Sequence, residues 1–180
     1  MFQQSLIPAI STHQALKSFI KSSKRYGILM NFQLAQLPEV VQTMKTHGKK
    51  VLVHLELIKG LANDEFGAIY CIQVLKVDGI ITTKPKVIEL CRKRNTLGIM
   101  RFFLKDTLSL HQSLELVRKL QPDLVEVLPA MPESLKLLEG KVTSPVMLGG
   151  LIRSKDDVNR CLAAGAVAVT CSLEELWEKS

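Results

Sequence analysis

With 180 residues, 47% of them apolar and 23% charged, the chain is long enough for one well-buried core and too short for two ordinary domains. That composition excludes a disordered chain, and no apolar run approaches the ~18 residues of a membrane span. The formal net charge of +7 is uneven: residues 1–105 hold 16 Lys and Arg against 6 Asp and Glu, and residues 106–180 hold 8 against 11.

In chain order, eight short apolar runs read as strands. They lie near Leu6–Ile10, Tyr26–Phe32, Lys50–Leu57, Gly79–Thr83, Gly98–Leu104, Leu124–Leu128, Val146–Gly149 and Ala166–Thr170. Helical periodicity fills the gaps. Ala15, Leu16, Phe19 and Ile20 share one face, as do Val87, Leu90 and Cys91, and as do Leu110, Leu114, Val117 and Leu120. Pro38 and Pro132 suit a first helical turn, and Gly48, Gly140 and Gly165 suit helix stops. Ser154 to Asp157 and Ser172 to Glu175 read as capping boxes opening the last two helices. Eight strand–helix units predict an α/β fold: a small (β/α)8 TIM-type barrel, residues 1–180 forming one domain. The four cysteines form no C-x-x-C pair and are expected as free thiols, with no disulfide and no metal. The first ten residues lack the basic-then-apolar pattern of a signal peptide, so the expected location is cytoplasmic.

The chemistry gathers in two places. At the C-terminal ends of strands 7 and 8, Gly149, Gly150, Thr170 and Ser172 predict a phosphate-binding site, with Arg153 as a further candidate. Glycines let main-chain amides approach an anion, and Ser172 is expected to open a helix whose N-terminus attracts one. Within the strands, alternation turns Val51, Val53, Leu55 and Leu57 toward the helices and His54 and Glu56 into the lumen. The same reasoning turns Arg101 and Glu126 inward, where either Arg101 bridges Glu56 and Glu126 in a structural network or the group contacts a ligand directly, and the two are compatible. Carboxylates there suit the hydroxyls of a polyol. No strand interior offers a lysine for Schiff-base chemistry, so no catalytic residue is assigned. The basic residues Lys49, Lys50, Arg92, Lys93 and Arg94 fall near helix ends or strand starts. They are expected on the barrel face opposite the ligand loops, where helix-dipole stabilisation competes with contact to a nucleic-acid backbone.

The succession LIPAI, YGILMNFQLAQL, HGKKVLVHLELIKGL, DGIITTKP, IMRFFLKDTLSL, QPDLVEVLPAMPESL, PVMLGGLIRSKDDV and AGAVAVTCSLEELW covers nearly the whole chain. It closely resembles the glycerol uptake operon antiterminators, the glycerol-3-phosphate-responsive regulatory family. The combination of VHLELIKG, DGIITT, VEVLPA and GGLIRS carries the resemblance more than any single motif. It implies glycerol 3-phosphate as effector, with no cofactor, and leader mRNA of the glycerol operon as partner. It also implies that RNA binding prevents premature termination. A homo-oligomer stays open. The alternatives are a small phosphate-binding barrel enzyme (isomerase or glycerophosphate-using synthase) and a sensor whose target is a protein.

Overall fold

The computed structural model describes residues 4–177. Eight parallel strands close into a barrel in sequence order: β1 (Leu6–Ile10), β2 (Tyr26–Leu29), β3 (Lys50–His54), β4 (Gly79–Thr82), β5 (Leu97–Phe103), β6 (Leu124–Leu128), β7 (Val146–Gly149) and β8 (Ala168–Cys171). The closing β1–β8 seam pairs Leu6 with Val169 and Pro8 with Cys171. Seven α-helices follow the first seven strands: α1 (His13–Lys21), α2 (Leu37–Thr46), α3 (Glu65–Ile69), α4 (Pro85–Lys93), α5 (Thr107–Leu120), α6 (Pro132–Leu138) and α7 (Lys155–Ala163). The fold is the expected α/β barrel of TIM type.

Local chemistry sets most helix boundaries. Thr12, Asp64, Asp106 and Ser154 each accept a hydrogen bond from an amide in the first turn of α1, α3, α5 and α7, which satisfies donors the helix itself leaves open. Pro38 and Pro132 occupy first-turn positions of α2 and α6. Gly48, Gly140 and Gly165 follow their helices with positive φ. At α7 the reciprocal arm of the box differs from the usual one: Asp157 Oδ2 accepts from the amide of Arg153 and the hydroxyl of Ser154.

The barrel has two apolar layers. The larger lies between sheet and helices and includes Val51, Val53, Leu55, Val125 and Val127. The smaller plugs the lumen with one residue from each strand: Ile7, Ile28, Leu52, Ile81, Ile99, Leu124, Met147 and Ala168. Burying each large aliphatic side chain of that plug stabilises the fold by about 1.5–3 kcal/mol. Two residues further along each strand, the pleat again points inward. There the chemistry changes: His54 on β3, Arg101 on β5, Glu126 on β6 and Thr170 on β8 stand above the plug.

Three expectations are corrected. β2 ends at Leu29 rather than Phe32, and β3 ends at His54 rather than Leu57. Residues Leu55–Leu57 form a 3-10 turn, so Glu56 is carried by the loop after β3 and not by the strand. Ser172 opens no helix. After β8 comes a 3-10 turn over Glu174–Leu176, preceded by Leu173 without a side-chain cap. The indole N–H of Trp177, 1% exposed, donates to Cys171 O at 3.0 Å and fastens this last turn to β8.

Candidate functional site

A cavity of about 160 Å³ opens above the plug, at the C-terminal ends of the strands. That is several times the ~30 Å³ share of one water in the liquid. Its wall includes His54, Arg101, Glu126 and Thr170, with Gly150, Leu151, Ile152 and Ser172 at the β7 and β8 loops. Sequence-predicted residues of both groups therefore meet here. Ala9, Met30 and Leu128 also line it and were not anticipated. Leu57 lines it too, against the expectation that it faces the helices, because it belongs to the 3-10 turn and no longer follows the alternation of β3. Ala9 and Met30 stand two residues beyond the plug residues Ile7 and Ile28, so strand register alone could have found them.

Glu126 is 4% exposed. Its Oε1 accepts the Thr170 hydroxyl at 2.9 Å, and its Oε2 lies 3.6 Å from Arg101 Nε. Burial pushes its carboxyl above the usual range, against the pull of the Arg101 charge and the Thr170 hydroxyl. The guanidinium carbon of Arg101 sits 4.9 Å from the ring centroid of Phe103, two residues nearer the rim. Arg101 thus serves Glu126 and Phe103, and the bridge to Glu56 is not formed.

Glu56 belongs to a second arrangement. Its Oε1 accepts from the amide of Thr83 at 2.6 Å, the hydroxyl of Thr82 at 2.7 Å and the hydroxyl of Thr83 at 3.0 Å. Burial opposes its charge, but those three donors outweigh burial and hold the carboxyl below the usual range. Its Oε2 lies 3.7 Å from His54 Nδ1. His54 is depressed to about 4, first by burial and then by the Arg101 charge, with Glu56 acting the other way. The imidazole is therefore neutral at neutral pH, with one N–H and one lone pair.

Five buried atoms in this group have no hydrogen-bond partner among the described residues: His54 Nδ1 and Nε2, Glu56 Oε2, Arg101 Nε and Glu126 Oε2. Such atoms are rare in folded proteins; here His54, Arg101 and Glu126 line the cavity, while Glu56 does not and stands behind His54.

The glycines act differently from one another. Gly149 ends β7 opposite Thr170. A Cβ on it would overlap Thr170 Oγ1 and come within 2.9 Å of Glu126 Oε1, so a glycine keeps the Thr170–Glu126 hydrogen bond intact. Gly150 has φ +81° and Leu151 φ +62°, two successive left-handed residues. For Leu151 that conformation is strained, and such strain concentrates at functional loops. The amides of Leu151, Ile152 and Ser172 have no acceptor among the described residues. The Arg153 side chain is exposed and does not line the cavity; its backbone N–H belongs to the α7 cap.

The basic residues lie at the other end of the barrel, and the structure divides them. Lys49 Nζ donates to Ser22 O and Lys24 O, at 2.7 and 2.8 Å. Lys50 pairs with Asp78 at 2.7 Å, and Arg92 Nη1 donates to Leu120 O at 3.1 Å. Lys93 and Arg94 are exposed at the end of α4, and Lys21, Arg25, Lys76 and Lys119 are exposed as well. Cys71, Cys91, Cys161 and Cys171 are buried free thiols. Among the described residues no cluster of His, Cys, Asp and Glu could hold a metal ion. None of their helices is long and apolar enough to cross a membrane. Among the described residues no lysine lines the cavity.

The chain is similar to known proteins along its length. A crystal structure of the glycerol uptake operon antiterminator regulatory protein from Listeria monocytogenes superposes with a TM-score of 0.95 at 34% identity, covering 100% of this chain and 98% of that one. A glycerol uptake operon antiterminator-related protein from Thermotoga maritima gives 0.87 at 25% identity, covering 98% and 99%. The Escherichia coli protein YgcP is 28% identical over 176 residues, which is 97% of this chain and 92% of that protein. Aldolases and decarboxylases with 10% to 18% identity share the fold alone. The family model for the glycerol-3-phosphate responsive antiterminators, which are regulators and not enzymes, matches residues 6–177. On that match and the barrel it spans, the chain belongs to the glycerol-3-phosphate responsive antiterminator family.

Proposed function

We propose that this protein is a cytoplasmic regulator that binds glycerol 3-phosphate in the barrel mouth. In response it engages leader mRNA of a glycerol operon and prevents premature termination, with residues 1–180 acting as one domain. One observation carries the ligand reading: unpartnered buried donors and acceptors converge at the inner end of a cavity whose outer loops offer unpartnered amides. An anion suits the amides of Leu151, Ile152 and Ser172, presented by the turn at Gly150; the Thr170 hydroxyl donates to Glu126 and only borders the anion. Gly149 leaves room, and Arg153 contributes charge at the rim. A polyol suits His54, Arg101 and Glu126, while Glu56 orients His54.

For RNA, the exposed cations of the opposite face supply charge complementarity, and Lys93 and Arg94 head that set because their side chains are exposed and make no bond among the described residues. Lys49, Lys50 and Arg92 contribute less, being committed to carbonyls and to Asp78.

Calorimetric titration with glycerol 3-phosphate, followed by filter binding of a leader transcript with and without it, tests both halves. Saturable heat and a ligand-dependent change in RNA retention are expected. No heat with the ligand, or RNA retention at the level of an unrelated transcript, refutes the corresponding half. For a tenfold change in RNA affinity the ligand must favour the RNA-competent state by about 1.4 kcal/mol.

A further inference from the structure

Arg101 Nε, a donor, lies 3.6 Å from Glu126 Oε2, an acceptor. Both atoms are buried and lack a hydrogen-bond partner among the described residues. The other oxygen of Glu126 is occupied by Thr170, so Oε2 is the one left for the cavity. Nearby, the Glu56 carboxylate stands 3.7 Å from His54 Nδ1 and favours the proton there, which leaves Nε2 as an acceptor. With Glu126 ionised beside the Arg101 guanidinium, the inner wall offers two free acceptors, Glu126 Oε2 and His54 Nε2, and one donor between β5 and β6.

Chemistry limits what can fill such a wall. A carbonyl or carboxylate oxygen only accepts, an ammonium only donates, and an alcohol hydroxyl does both. An oxygen about 2.8 Å from each of two atoms, an ordinary hydrogen-bond length, closes a triangle on the 3.6 Å side between Arg101 and Glu126. A three-carbon polyol phosphate has two hydroxyls for the two acceptors. Exchanging either for a carbonyl leaves one buried acceptor facing another.

We propose that Glu126, Arg101 and His54 make the cavity selective for hydroxyl over carbonyl, so that it takes a polyol phosphate and turns away the corresponding ketone phosphate. This rests on the reading that the cavity binds a phosphorylated polyol. A site built for a hydroxyl rejects the analogue lacking it, because its own buried polar groups are left unpaired.

The test is calorimetry on the full chain with glycerol 3-phosphate and with dihydroxyacetone phosphate, which differ at one carbon. The polyol is expected to bind at least tenfold more tightly. Equal affinities, or a tighter ketone, overturn the selectivity and leave the ligand reading standing. Binding of neither overturns the ligand reading, and the selectivity falls with it. The variant Glu126→Gln sharpens the result. With Thr170 still donating to the amide oxygen, the amide nitrogen replaces Oε2, and two donors then face the ligand. The preference is expected to shrink toward unity as the ketone gains. An undiminished preference in a folded Glu126→Gln protein removes Glu126 as its determinant. Should that variant not fold, the wild-type comparison decides alone.

Discussion

His54 makes the barrel lose stability as pH falls, by an amount the structure allows to be worked out. Its pKa drops from 6.5 to about 4 on folding, because burial and the Arg101 charge oppose the imidazolium. The folded value lies below the unfolded one, so above 6.5 neither state is protonated and the contribution is complete. Between 6.5 and about 4 the unfolded chain takes up a proton that the folded one refuses, and stability drains into that difference. At about 1.4 kcal/mol per pH unit, the full window removes roughly 3 kcal/mol. Below it the loss stops.

Urea unfolding at pH 7.5 and pH 4.5, on wild type and on His54→Gln, reads this directly. Glutamine does not titrate, so wild type is expected to lose roughly 2–3 kcal/mol more than the variant over that interval. Glu126 contributes with the opposite sign: its folded pKa is raised, so it adds stability as pH falls toward the unfolded value. It is present in both proteins, and the comparison cancels it to first order. Parallel pH dependences would refute the argument that His54 is held neutral by its surroundings.

Two further outcomes follow from packing and charge. Gly149→Ala forces a methyl against Thr170 and Glu126, and is expected to lower stability by about 1–3 kcal/mol, read as a lower urea midpoint, while weakening calorimetric binding of glycerol 3-phosphate. The basic face should separate by role: the double variant Lys93→Gln, Arg94→Gln keeps wild-type stability and flattens the salt dependence of leader-RNA binding by a slope of up to about 1.4–1.8, the value for two lost phosphate contacts. Lys49→Gln, which strips the carbonyls of Ser22 and Lys24 of their donor, instead lowers stability by about 1 kcal/mol. An unchanged salt slope in the double variant would reject this face as the RNA surface.

Much of the barrel is legible in the sequence because strand alternation and helical periodicity both report burial. Lumen positions follow from it: once Leu52, Ile99 and Leu124 are read as inward, His54, Arg101 and Glu126 must also face in, and all three line the cavity. The same signal misplaces the end of β3. Leu55 is fully buried beyond the last strand residue, because the 3-10 turn still packs it into the outer core. Hydrophobicity continues where the hydrogen-bond ladder has stopped, so Glu56 looks like a strand residue. Its partners come from the end of β4, and Arg101 turns to Glu126 on the adjacent strand instead. Pair identities of this kind depend on barrel order and register, which no local pattern encodes. Ser172 misleads for another reason: Ser-Leu-Glu-Glu fits a capping box, but Trp177 fastens the segment to Cys171 after a single 3-10 turn.

The two proposed surfaces lie at opposite ends of the barrel, and that constrains how one could answer the other. The cavity sits above the eight-residue plug, whereas Lys93 and Arg94 end α4 on the far face. Strands of four to seven residues separate the ends, roughly 13–23 Å at about 3.3 Å per residue. A ligand in the mouth therefore cannot touch RNA bound at the opposite end. Its influence has to pass through the barrel, by favouring one arrangement of elements that reach both ends. Under the proposed function, β5 and α4 form one packed connection between the two. Arg101 on β5 faces the cavity, and α4 packs along β5 with Cys91 against Gly98 before running into Arg92, Lys93 and Arg94. A close-packed contact of this kind transmits small displacements because it has no slack to absorb them. On the proposed reading, pairing Arg101 with a ligand hydroxyl would act on the strand whose neighbouring helix presents the cations.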